Sequence, residues 1–157
     1  MDNEKQELID ILVPKAVLKA VTDKAKRTIL KRANGLDVIP ILDYPFKIGR
    51  EARVTYVNDE PVLQERHKLG GDAPNNDAYL LDNNQFLQIS RIHCSIVQQK
   101  DRYVLVDRGS ECGCMVNQFK VGDGANMNCP LEDGDIITIG SQESQYKFKF
   151  ISLDLSN

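Results

Sequence analysis

Ser90, Arg91 and His93 fall within four residues in "QISRIHCSIVQQ", residues 88–99, where an irregular stretch gives way to a β-branched run. A hydroxyl, a guanidinium and an imidazole this close could serve a hydrolytic site, a metal site or an anion-binding loop. A Ser-His hydrolase needs the two side chains aimed at each other, an orienting carboxylate and an oxyanion hole. The start of a strand does not aim residues three apart at one another, and no G-x-S-x-G elbow occurs. Metal chemistry fares little better. Cys112 and Cys114 make one tight pair, but Cys94 and Cys129 stand apart and no second pair completes a structural zinc set. These cysteines are expected to be small buried hydrophobes, with neither metal nor cofactor. "GDGANM" lacks the lysine and serine of a phosphate-binding P-loop. "EDGD" at 132–135 lacks the later glutamate of a calcium loop and predicts a tight turn.

The anion-binding loop draws on two separate segments. "FKIGRE" puts Arg50 directly after Gly49 at the end of a strand, and "ISRIH" offers Ser90, Arg91 and the amides of its loop. A guanidinium fork, a hydroxyl donor and backbone N–H groups suit a phosphate dianion, with about −1.5 to −2 charges and three acceptor oxygens. Loops at one end of a sandwich converge even when their sequence positions are distant. Alone, Arg50 would be a solvated arginine and Ser90 a strand cap; only their pairing makes a site. His93 is expected to be packed and hydrogen-bonded, bracing the loop rather than acting as a base.

The elements that must position these groups change character near Gly35. From Pro14 to Ala33, apolar residues at Val17, Leu18, Val21, Ala25, Ile29 and Ala33 follow a spacing of three or four, with "ANG" as a stop. This predicts a helical N-terminal extension over 1–35. Beyond it, "VIPIL", "FKIG", "VTYV", "AYLL", "HCSIV", "RYVLVD", "CMVN", "DIITIG" and "YKFKFI" are short and β-branched or aromatic, punctuated by Gly, Asn and Asp. They predict an all-β antiparallel sandwich or barrel over 36–152, followed by a tail at 153–157. In the last of them Tyr146, Phe148 and Phe150 share one face, opposite Lys147 and Lys149. The stretch from Asn58 to Asn76 predicts a long loop.

Composition bounds the function. At 157 residues the chain can bury roughly 68–70% of its unfolded surface and needs no disulfide or metal to fold. A net charge of −3 argues against general affinity for nucleic acid. The charge is uneven: residues 1–34 hold eight Lys/Arg and five Asp/Glu, leaving −6 for the rest. No apolar run reaches the ~20 residues of a membrane span and the N-terminus is acidic and polar, which points to a cytoplasmic chain with reduced thiols.

Taken in order, "IGR" at 48–50, "NDAYLLD" at 76–82, "ISRIH" at 89–93, "YVLVD" at 103–107, "GSECGCMVN" at 109–117 and "LEDGDIITIG" at 131–140 resemble a forkhead-associated (FHA) domain, a phosphothreonine-peptide recognition module. The resemblance runs from about Asp37 to Ile151. It implies a β-sandwich of about eleven strands, non-catalytic, gripping its peptide with loops at one edge and serving protein–protein recognition in Ser/Thr-kinase signal transduction. By position it implies that Arg50 and Ser90 bind the phosphate, Arg91 adds charge, and Ser110 and Cys112 meet the peptide. Gly49, His93, Gly113 and Asn117 would shape the loops. Two departures stand out. Cys112 occupies the place of the family's usual asparagine, which clamps the peptide backbone, and a thiol is a poor hydrogen-bond partner. Losing one hydrogen bond of ~1 kcal/mol would weaken binding several-fold. Cys114 also stands where the family often has Thr or Ser. The connection from Arg50 to "NDAYLL" is unusually long as well.

Two further readings compete. An FHA-like scaffold with weakened or lost phosphate dependence would bind partners through the N-terminal helix or the long loop. In self-recognition, Thr28 in "KRTILKR", or Thr22, would be phosphorylated and the chain's own N-terminus would be the ligand.

Overall fold

The computed structural model describes residues 2–29, 36–50, 54–63, 76–82 and 84–154. The expected helix stop at 33–35, most of the long loop and the last three residues lie outside these. The element order is α1 (Asn3–Leu12), β1 (Ala16–Ala20), α2 (Asp23–Thr28), β2 (Val38–Ile41), β3 (Phe46–Arg50), β4 (Val54–Val57), β5 (Glu60–Leu63), β6 (Ala78–Leu80), β7 (Cys94–Gln99), β8 (Arg102–Asp107), β9 (Cys114–Val116), β10 (Phe119–Val121), β11 (Asn128–Leu131), β12 (Ile136–Ile139) and β13 (Lys147–Ser152). One sheet has the order β10-β9-β12-β13-β1-β2 and the other β11-β8-β7-β3-β6, eleven strands together, with β4 and β5 as a separate hairpin. Among the described residues no helix is long and apolar enough to cross a membrane.

The two sheets close on one apolar core. β13 and the residue before it alternate as their sequence requires: Tyr146, Phe148 and Phe150 are buried, and Lys149 is exposed. Leu18 and Ile41 join them from the same sheet, and Ile48, Ile96 and Leu105 from the facing one, all nearly solvent-free. Tyr103 meets the Phe150 ring edge-on at 5.2 Å between centroids, an arrangement favoured by the ring quadrupoles.

The N-terminal third corrects the helical expectation. α1 is a helix, capped by the Asp2 side chain accepting from the Glu4 amide. Ala16–Ala20, however, is an internal strand. It pairs with β13 from Ala16↔Ser152 to Ala20↔Phe148 and with β2 on its other side. "AVLKA" carries helix-forming residues, yet Ala16, Val17, Leu18 and Ala20 are all buried. A strand covered on nearly every side shows no alternation, and its packing outweighs its propensity. The boundary placed at residue 35 therefore falls within the sheet's own sequence.

α2 then docks on the sandwich edge. The Thr22 hydroxyl accepts from the Ala25 amide and donates to the Gln145 carbonyl. Thr28 is 1% exposed, with its hydroxyl donated to the Leu81 carbonyl at 2.7 Å. Both hydroxyls are engaged in holding the fold. Thr28 is thereby withdrawn from a kinase, whereas Thr22 is only half-buried.

Candidate phosphate-binding edge

Strand pairing brings the candidate residues together. β3 runs parallel to β6, with Arg50 opposite Leu80, and antiparallel to β7, with Ile48 opposite Cys94. The segment joining β6 to β7 must therefore cross the end of β3, which places Ser90 against Arg50. The Arg50 amide donates to the Ser90 carbonyl at 2.9 Å, and its Nε donates to the Ile89 carbonyl at 2.9 Å. The guanidinium is thus held along the 89–90 backbone. β7 in turn pairs with β8, Cys94 opposite Asp107, so the turn after Asp107 emerges beside the same loop.

His93 ties the two loops. It is fully buried, its Nδ1 accepts from the Ser90 amide at 2.9 Å, and Nε2 meets the Gly113 carbonyl at 2.7 Å. An acceptor at Nδ1 fixes the proton on Nε2, so the ring is neutral and donates to Gly113. The imidazole makes its Ser90 bond to the amide rather than the hydroxyl, so it is a strut between loops. Burial holds His93 below its ordinary value, against the opposing effects of the Gly113 carbonyl and the Asp107 carboxylate. Protonation at Nδ1 would place a donor against the Ser90 amide. The folded value being depressed, stability is full above the unfolded value of about 6.5 and is lost as pH falls below it. Thermal melts below pH ~6.5 should show this loss, and His93→Gln should flatten the slope there.

Gly49 and Gly113 are both sites of close approach. A Cβ at Gly49 would lie 2.0 Å from the Arg91 carbonyl oxygen and 2.5 Å from Asn76 Nδ2. Gly113 has φ +71°, and a Cβ there would be 2.8 Å from the Val121 carbonyl oxygen. The expectation that both shape the loops has this steric basis. Asn117 also shapes a turn, but at the other end of β9. Its Nδ2 donates to Asp135 at 3.0 Å and its Oδ1 accepts from the Ile136 amide at 3.0 Å.

Ser110 differs from expectation. It is buried, its hydroxyl donates to Asp107 Oδ1 and accepts from the Gly113 amide at 2.9 Å. Its hydroxyl is turned inward and stabilises the loop from inside. Cys112 is half-buried, its thiol directed to the Leu87 carbonyl at 3.6 Å. Burial and the charges of Glu111, Asp123 and Asp82 push this thiol up, so it is neutral. Cys114 faces Cys94 between the sheets; their mutual hydrogen bond and burial raise its value further. His93, Asp107 and Cys114 bring potential metal-ligand atoms within 4.8 Å of one another. The His93 and Asp107 donors there already carry hydrogen bonds to Gly113, Gly109 and Ser110.

Several positioning residues escaped the sequence reading. Asp82 is buried and accepts from the Asn84, Gln88 and Ile89 amides, Asn84 Nδ2 and the Tyr146 hydroxyl at 2.7–3.1 Å. Burial alone would raise its carboxyl, but these donors reverse that and hold it below the usual range. The fan fixes the path into Ser90. Asn76 is the second, its Nδ2 donating to the Arg91 carbonyl at 2.7 Å and its Oδ1 accepting from Arg108 at 2.9 Å. Gln88 is the third, its Oε1 accepting from the Ser141 amide and hydroxyl. The one visible signal was an Asp at the end of "NDAYLLD", followed by Asn residues that favour side chain–backbone turns.

A two-sheet sandwich with a cationic, hydroxyl-bearing loop cluster at one edge is the architecture of a recognition module. Residues 68–140 match the FHA domain family. That span holds Ser90, Arg91, His93 and the 109–117 segment, whereas Gly49 and Arg50 precede it and join them through β3. Among solved structures, the chain is similar to Mycobacterium tuberculosis EmbR, solved in complex with a low-affinity phosphopeptide (TM-score 0.51, 19% identity, 98% of this chain and 30% of that one). It is also similar to full-length yeast Pml1p (0.53, 14%, covering 87% and 80%) and to the FHA domain of an Arabidopsis thaliana hypothetical protein (0.52, 16%, covering 94% and 92%). At these identities the likeness is one of fold. The chain thus spans less than a third of EmbR, and no curated protein matches its sequence.

Proposed function

We propose that this chain is a non-catalytic module that binds phosphothreonine-containing segments of partner proteins, downstream of a Ser/Thr kinase. One observation carries the reading: Arg50 and Ser90, forty residues apart, are locked to each other at one sandwich edge. The Ser90 hydroxyl accepts from the Glu111 amide at 3.1 Å, which leaves its own proton to donate to a phosphate oxygen. Arg50 supplies a charged fork, and the exposed Arg91 adds a second cation. His93, occupied by Ser90 N–H and Gly113, cannot take a proton from the Ser90 hydroxyl, in keeping with binding without hydrolysis. The FHA-family match over residues 68–140 and the phosphopeptide bound by EmbR support the same ligand class.

A paired peptide array tests this, with every sequence present as threonine and as phosphothreonine. Retention of phosphothreonine members alone is expected; equal retention of both forms would refute phosphate recognition. A second reading, a scaffold that needs no phosphate, is favoured by α1, which exposes Leu8, Ile11 and Leu12 and buries no residue. On that reading, phosphatase treatment of a partner leaves its binding intact.

A further inference from the structure

Polar side chains around the phosphate-binding loop are mostly consumed within the protein. Gln88 Oε1 is held by Ser141, and Asn84 by Lys24, Asp82 and Tyr146. Ser110 is held by Asp107 and Gly113. Between the exposed Gln85 and Arg91 the loop also displays two large apolar side chains: Phe86 is 79% exposed and its neighbour Leu87 43%. These two do not sit on a loose tip. The Asp82 fan and the Gln88–Ser141 bonds fix the backbone on either side of them. The Leu87 carbonyl receives the Cys112 thiol, and the next residue back, Glu111, donates its amide to the Ser90 hydroxyl. Phe86, Leu87 and Cys112 therefore border the phosphate site along one side and offer it hydrocarbon and a neutral sulfur. A fixed, adjacent pair of exposed apolar side chains beside an anion site is a surface shaped for a ligand with both features.

We propose that this edge selects its ligand by an aliphatic or aromatic side chain close to the phosphothreonine in sequence, seated on Phe86, Leu87 and Cys112. The inference rests on the phosphothreonine reading and adds the chemistry of the flanking residue. The phosphate fixes the peptide on Arg50 and Ser90, and the tethered apolar side chain then removes the Phe86 face from water. Cys112 acts here as a packing surface rather than as a hydrogen-bonding clamp.

A phosphothreonine peptide library, with each of the three positions on either side of the phosphothreonine randomised in turn, tests this against the intact chain. At one flanking position the wild type should retain Leu, Ile, Val, Met or Phe over Ser by about tenfold. Phe86→Ser should bring that ratio close to one. Phe86 is so exposed that this variant should melt as the wild type does. Phe119→Ser, changing a residue 70% exposed beyond the far end of β9, should leave the ratio unchanged. Phosphate-dependent retention without apolar preference, or the same preference in Phe86→Ser, would overturn the inference alone. Equal retention of phosphorylated and unphosphorylated libraries would remove the phosphothreonine reading and this inference with it.

Discussion

Replacing Arg50 by alanine is expected to weaken phosphothreonine-peptide binding by about 2–5 kcal/mol, roughly 30- to 4,000-fold. The size follows from what remains. A phosphate dianion seated on Ser90 would lose its charged fork and keep only a hydroxyl, amides and the exposed Arg91. Arg50→Lys should fall between, because an ammonium supplies charge without the two parallel donors of a guanidinium. Arg50 also donates through Nε to the Ile89 carbonyl, so thermal melts must accompany the titration. A melting temperature near wild type would locate the loss in the ligand contact. Binding of wild-type strength by Arg50→Ala would remove Arg50 from the site.

The second large effect is on stability. Asp82→Ala should cost about 3 kcal/mol or more, lowering Tm by roughly 6–12 °C in a chain of this size. Asp82 gathers three amides, one side-chain amide and the Tyr146 hydroxyl on two carboxylate oxygens. Truncation leaves these donors facing a cavity near the core. Asp82→Asn keeps the volume but turns a donor toward donors, and should recover only part of the loss. The same variants should weaken peptide binding, since the loop they release ends at Ser90 and Arg91. A loss below ~1 kcal/mol would mean that the loop is held by other contacts.

How much of this was legible in the sequence depends on burial geometry. Strands with one wet face, such as β13 with its alternating aromatics and lysines, announced themselves. β1 did not, because a strand enclosed on both flanks has no polar face to mark its period. The short strands β5, β10 and β11 were also passed over. Arg50 and Ser90 were legible as candidates because a guanidinium at the end of β3 and a hydroxyl in the loop before β7 are chemically distinctive. The residues that fix them were not: Asp82, Asn76 and Gln88 act through backbone groups from other segments, and only strand pairing brings those groups within reach. Ser110 shows the converse. Its place in the motif suggested contact with a peptide, while the buried Asp107 beneath it turned the hydroxyl inward.

The N-terminal segment takes on a different meaning in this light. Thr22, Lys24 and Thr28 contact Gln145, Asn84 and Leu81, on both sides of the Asp82 fan. Residues that resembled an appendage thus support the loop that carries Ser90.

The most direct measurement is an amide-resolved NMR titration of the intact chain with a degenerate phosphothreonine-peptide pool and its unphosphorylated counterpart. Shifts should centre on Arg50, Ser90, Arg91, Glu111 and Gly113 with the phosphorylated pool and be absent with the other. Equal shifts from both pools, or shifts confined to α1, would contradict the assignment of this edge to phosphate.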